Sequence, residues 1–306
     1  MWGSKKKAAV ENTGFIGDMS EDQERALEQF RKYIKDNNIT EHPQYDDYYL
    51  LRFLRARKFE MDKCILMFNT FMEWRKENDV DNILEVFNFE EYDQIQAVYP
   101  HFYHKTDKKG RPIYIERLGQ LKIDEVFKIT TEERLIKHYI QSYELLMRLR
   151  FPACSAIAGQ RIEQGLNILD LTGGSMKILS KKVYGLIQLA SKVGSDYYPE
   201  IMGATFIVNA PMLFSGVWAV VKGFLDEKTR KKITIKGGSY QKDLLEIVDE
   251  NNLPDFLGGK CTQFGLHRDG VGPWNEYEIV TPVGIRKKQA LGGAGAADEG
   301  EEHKAQ

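Results

Sequence analysis

The sequence predicts an α/β fold, a largely parallel sheet carrying helices, preceded by a small all-α domain. Three observations predict it. The 306 residues are too many for one ordinary compact domain and suit one of roughly 200 residues beside a smaller one. Up to about residue 96 the apolar residues recur at helical spacing. Beyond that point short apolar runs alternate with helical patterns, and strands joined through helices run parallel.

Residues 1–19 read as a disordered tail. Ser20 with Gln23 makes a capping box, and Leu27, Phe30 and Ile34 then share one helical face. A second helix is expected over 46–57 and a third over 62–76, where Cys64, Ile65, Phe68, Phe71 and Met72 keep the period. These helices form an amino-terminal domain over 20–96. Two strands, 102–106 and 113–116, flank a hairpin turn at 107–112. Thr130 with Glu133 makes a second capping box, and Leu135, Tyr139, Tyr143 and Leu146 continue that helix until Phe151-Pro152. A strand over 166–171 leads to a helix with Leu179, Val183, Leu186 and Ile187. A strand over 204–208, an apolar helix over 212–225, a strand at 233–235 and a helix over 240–248 complete a second domain spanning 97–275. Residues 276–306, ending rich in Gly, Ala, Lys and Glu, read as largely disordered.

Composition narrows the function. With 43 basic and 45 acidic side chains, the net charge of −2 argues against a nucleic-acid binder. The cysteines at 64, 154 and 261 form no CxxC motif or disulfide framework, which fits a reducing compartment. The amino terminus lacks an apolar signal core. Residues 201–221 carry no charge over 21 positions, but Gly203, Asn209, Pro211 and Ser215 interrupt them. They read as strand, turn and helix rather than a membrane span. His101 and His104 fall on opposite faces of a strand and read as two exposed histidines, not a metal site. The Asp170–Ser175 turn lacks the glycine order of a nucleotide loop. No nucleophile elbow or metal-base motif is present, so no catalytic residue, metal or cofactor is expected. Nothing demands an oligomer, and a monomer is expected.

Two features call for a ligand or a membrane. Met212, Phe214, Val217, Trp218, Val220, Val221, Phe224 and Leu225 cover almost the whole circumference of their helix. Such a helix is either enclosed in the core or faces lipid. Lys222, Lys228, Arg230, Lys231 and Lys232 at its exit suit anionic headgroups. Arg52, Arg55, Arg57 and Lys58 form a basic cluster, either a solvated helix face or a phosphate clamp.

LLRFLRARKFE (50–60), YHKTDKKGRPIYIE (103–116), FPACS (151–155), DYYPEIMG (196–203), NAP (209–211), SYQKDLLE (239–246) and LPDFLGGK (253–260) stand in collinear order. This set resembles the CRAL-TRIO superfamily over about residues 20–275. The resemblance implies a sheet flooring an apolar pocket for one phospholipid, with a gating helix over its mouth. It assigns the phosphatidylinositol headgroup to Arg57, Lys58, Glu200, Thr229 and Lys232, and the gate to Phe214, Val217, Trp218, Val221 and Phe224. Tyr103, Tyr114 and Tyr143 match a choline cage, whereas Gly165 and Asn167 stand where the family carries Ser and Thr. Phosphatidylinositol is therefore the expected ligand, and phosphatidylcholine is placed in doubt as a second lipid. The implied function is phospholipid exchange between membranes, or presentation of the lipid to a phosphatidylinositol kinase. The implied location is cytoplasmic, peripheral to Golgi or endosomal membranes. A carrier of a retinoid, tocopherol or sterol is the alternative within the fold. A nucleotide-dependent enzyme using Gly173-Gly174 is the alternative outside it.

Overall fold

The computed structural model describes residues 12–39, 45–174, 180–212, 214–265, 268–280 and 284–289. The expected tails are therefore seen only in part; Leu179 and Leu213 lie outside the described residues, as does the side chain of Phe224.

Helices α1 (Glu21–Asp36), α2 (Asp47–Ala56) and α3 (Met61–Glu77) come first. The Ser20 capping box forms, its hydroxyl accepting from the Gln23 amide at 3.3 Å. Phe30, Phe53, Phe68 and Phe71 meet at full burial, Phe53 edge-on to Phe68 at 5.0 Å. Each such ring contributes about 1.5–3 kcal/mol by leaving water. Two short helices, α4 (Ile83–Val86) and α5 (Tyr92–Val98), lead into strand β1 (His101–Thr106) and its hairpin partner β2 (Pro112–Glu116).

The remaining elements alternate. They are α6 (Ile123–Ile129), α7 (Glu132–Leu145), α8 (Phe151–Ala158), β3 (Gly165–Asp170), α9 (Lys181–Tyr197), β4 (Met202–Val208), α10 (Phe214–Val221), α11 (Glu227–Lys231), β5 (Ile233–Ile235) and α12 (Gln241–Ile247). The sheet runs in the order β1-β2-β3-β4-β5; β1 and β2 are antiparallel and every other pair is parallel. One face closes tightly. Phe102, Ile113, Ile115, Leu166, Ile168 and Val208 pack there against Tyr240, Leu244, Val248, Leu253 and Leu257. The opposite face carries Tyr103, Tyr114, Glu116, Asn167 and Leu169.

Several expectations take corrections. The cap of α7 is Thr131, which accepts from the Arg134 amide; Thr130 instead donates to Glu91. Pro152 does not end the helix. A π-helical turn at Leu146–Arg150 widens the coil, and the proline enters in the first turn of α8, where its missing N–H costs little. His101 and His104 do lie on opposite faces, but both are buried because both faces are covered. Arg52 and Arg55 are not a solvated helix face. They are buried; Arg55 pairs with Glu163 at 3.3 Å and Arg52 donates to the Glu163 carbonyl. Within the stretch expected to be disordered from 276, β6 (Tyr277–Ile279) and β7 (Ile285–Lys287) form a two-stranded sheet, held by Tyr277 and Ile285 packing beside buried Trp274. The apolar helix is shorter than 212–225, since a 3-10 turn at Lys222–Phe224 follows α10. Among the described residues no helix is long and apolar enough to cross a membrane.

Candidate functional site

Glu200 is the centre of one cluster. It follows the Tyr197-Tyr198-Pro199 corner, which is firmly anchored: Tyr197 stacks on Trp74 at 3.9 Å and Tyr198 donates to buried Glu144 at 2.6 Å. Glu200 has φ +60°, and its carbonyl accepts from Gln164. Its carboxylate, 8% exposed, meets Lys228 at 3.1 Å and Lys232 at 3.2 Å. Burial raises its pKa, but Lys232 and Lys228 more than offset that and hold it below the usual carboxylate range. Lys232 also donates to the Met202 carbonyl at 2.9 Å.

Arg57 caps the carboxyl end of α2, and the chain then reverses through Lys58 at φ +53° and Phe59 at φ +61°. Left-handed backbone costs a side-chain-bearing residue about 1–2 kcal/mol, so Lys58 and Glu200 both hold strained positions of the kind found at ligand sites. Lys58 is exposed, and neither it nor Arg57 forms an ion pair among the described residues. The two halves face one another: the Lys58 charge reaches Glu227 on α11, and the Glu200 charge reaches Arg55. Thr229 does not point its hydroxyl into this cluster as a free donor; it donates to Asp226, the cap of α11, at 2.6 Å. Lys228, read from the sequence as a membrane cation, is instead a partner of Glu200. Its spacing of four from Lys232 was the available signal.

The open face of the sheet makes the second part. Tyr103 and Tyr114 stand 5.1 Å apart, and Tyr143 packs in the same cluster. Burial pushes the pKa of all three upward. Asn167 and Leu169 lie on the central strand and each keeps accessible surface, as do Tyr114 and Glu116, which pack among Tyr99, Tyr103 and Tyr139. Side chains that are enclosed by protein and still accessible line an internal space. Gly165 offers nothing to that space, and the Asn167 amide is taken by the Thr205 hydroxyl at 3.3 Å. Glu116 went unnoticed in the sequence, although it shares the face of Tyr114 by the period of two.

Helix α10 follows β4 after the Asn209 turn. Val217 is buried, Phe214, Trp218 and Val221 are half-buried, and Val220 and Met212 are exposed. Thus the helix is neither enclosed in the core nor fully free. A separate groove of about 550 Å³ near Glu91 and Arg134 is polar and holds none of the predicted residues. At the Gly173-Gly174 turn the Asp170 carboxylate accepts from the Thr172 amide, the Thr172 hydroxyl and Asn209. A carboxylate occupies these three donors.

Residues 96–259 match the CRAL/TRIO domain and residues 26–69 the CRAL/TRIO N-terminal domain. The chain is 42% identical over 280 residues to the SEC14 cytosolic factor of Kluyveromyces lactis, covering 90% of this chain and 92% of that one. It is 42% identical over 266 residues to the Sec14 cytosolic factor of Schizosaccharomyces pombe, covering 87% of this chain and 92% of that one. It is 41% identical over 270 residues to the phosphatidylinositol/phosphatidylcholine transfer protein SFH9 of Arabidopsis thaliana, covering 87% of this chain but only 46% of that longer protein. The crystal structure of Sfh5 superposes with a TM-score of 0.62 at 18% identity, over 82% of this chain and 92% of that one, which supports the fold. The chain belongs to the CRAL/TRIO family.

Proposed function

We propose that the protein binds one phosphatidylinositol and exchanges it between membranes or presents it to a lipid kinase, without covalent chemistry. The observation that carries this is the buried Glu200 between Lys228 and Lys232, its charge reaching Arg55 on α2, at whose end stand Arg57 and Lys58, which form no ion pair among the described residues. A phosphate takes the two cations, each charged hydrogen bond contributing about 1.5–3 kcal/mol. The inositol hydroxyls bond the Glu200–Lys232 unit. A retinoid, tocopherol or sterol needs no such array of charge. The relatives' names, transfer protein and cytosolic factor, support the same reading and a cytosolic protein that visits membranes. Native mass spectrometry of protein purified from cells should show one phosphatidylinositol per chain. A neutral hydrophobe or a nucleotide in its place would refute it.

The α10 helix serves as the gate. On opening, Phe214, Trp218 and Val221 join exposed Met212 and Val220 as an apolar patch that only lipid can cover. Trp218→Asp should slow vesicle-to-vesicle transfer by roughly tenfold or more while a preloaded lipid stays bound, because charge penalises the membrane-seated state alone. Normal transfer by this variant would mean that α10 does not move.

A further inference from the structure

The pocket wall holds a titratable group that phosphatidylinositol leaves unused. Glu116 ends β2 on the open face of the sheet, opposite His101 in register. One carboxyl oxygen bonds the Tyr99 hydroxyl, which also meets the Tyr139 hydroxyl at 2.9 Å. The other oxygen has no hydrogen-bond partner among the described residues, and it is not sealed from open space. Tyr114, Tyr139 and Tyr143 lie close enough to feel the Glu116 charge, and Tyr103 packs on Tyr114. These tyrosines are neutral, since burial raises each of them. The nearest bases, His101 and His138, meet at 3.3 Å and are also neutral, because burial pushes them down to about 4 and about 3. Arg150 stacks on Tyr103 at 4.1 Å and makes no bond to Glu116.

A carboxyl group with an open oxygen among aromatic faces suits an ammonium. The neighbouring strands are poor for phosphate. Gly165 has no side chain, Asn167 donates to Thr205, and the Thr205 hydroxyl donates to the Met202 sulfur at 3.0 Å. We infer that the pocket takes, as its second ligand, a long-chain lipid amine: a cation without a phosphate, held between Glu116 and the rings of Tyr114 and Tyr143, away from the Tyr103 face that Arg150 covers. The inference rests on the reading of this space as a lipid pocket. A choline lipid offers the cation but brings a phosphate for which the strand positions Gly165 and Asn167 supply no hydroxyl. Burial pushes the Glu116 carboxyl up to about 7, against the Tyr99 hydrogen bond. Amine binding favours its ionised form, so it releases a proton near neutrality and strengthens as pH rises.

The test uses the full chain stripped of lipid, with a C18 primary amine, a C18 alcohol and phosphatidylcholine competing against a fluorescent fatty probe. The amine should bind roughly tenfold or more tightly than either competitor, and roughly tenfold or more tightly at pH 8 than at pH 5.5, following ionisation of the carboxyl. Glu116→Gln should remove the amine preference and its pH dependence, and Glu116→Asp should retain both. Gly165→Ser with Asn167→Thr should shift the balance toward phosphatidylcholine; a Cβ at 165 meets only the Pro112 carbonyl, at 3.3 Å. Equal binding of amine and alcohol, or an amine affinity that ignores pH and Glu116→Gln, overturns the inference. Phosphatidylinositol binding, measured in parallel, tests the transfer reading separately: its loss alone would overturn that reading and leave the amine result standing.

Discussion

Replacing Glu200 by alanine should abolish phosphatidylinositol transfer while the protein stays folded. The carboxylate is 8% exposed and neutralises two ammoniums, one of which, Lys232, is itself only 21% exposed. Removing it strands Lys232 in a poorly solvated place and, on the proposed reading, deprives the inositol hydroxyls of their acceptor. A cost of about 3 kcal/mol follows, the low end for breaking a buried pair, which corresponds to a loss of roughly a hundredfold or more. Lys232→Ala should cost less, because Lys228 still meets Glu200 at 3.1 Å. The double variant should cost far less than the sum of the singles, since both belong to one unit. Vesicle transfer assays beside thermal melts check this; additive losses would mean that the two residues act apart. The pH sign follows from the depressed pKa of Glu200. Its contribution is complete at neutral pH and is lost only as pH falls below the ordinary carboxylate range.

Glu144→Ala should be the most destabilising single change. Glu144 is 1% exposed, pairs with buried Arg75 at 2.8 Å and accepts from Tyr198 at 2.6 Å. Burial lowers the Arg75 pKa, but the Glu144 charge outweighs it and drives it up. Truncation leaves a buried guanidinium with Asp81 alone and a buried tyrosine hydroxyl without its acceptor. The expected cost is about 3–5 kcal/mol, or a melting temperature lowered by about 10 °C. The corner that carries Glu200 should loosen with it, so lipid transfer should fall too. Replacing the pair together, Arg75→Met with Glu144→Leu, should recover part of the stability, because two apolar side chains leave no stranded charge and only the Tyr198 hydroxyl still lacks its acceptor. A melt within 2 °C of the parent for Glu144→Ala would show that this network contributes little.

Much of the architecture was legible in local pattern. The Ser20 capping box, the period of the Phe68 and Phe71 helix, and the hairpin turn between the strands at 102–106 and 113–116 each depend on residues a few positions apart. So does the turn at Asn209, which brings the strand and α10 into sequence. The Glu200–Lys232 pair was legible only through the resemblance, because 32 residues separate its members. The Arg57–Lys58 reversal was visible as residue types but not as strained backbone.

What the sequence by itself determined was the order of the five sheet strands and of the main helices between them, and the division into a helical region and a largely parallel sheet. Propensity, capping and hydrophobic period act over one or two turns and need no partner from elsewhere in the chain. Only the tertiary structure decided the fate of the polar groups. Arg55 reads as a surface cation until Glu163, 108 residues away, encloses it. Lys228 reads as a membrane contact until β4 brings Glu200 within 3.1 Å. Glu116 reads as an ordinary strand residue until α7 closes Tyr139 over it. A charge takes its meaning from its solvent and its counter-charge, and both are set when distant segments meet, which no local pattern records.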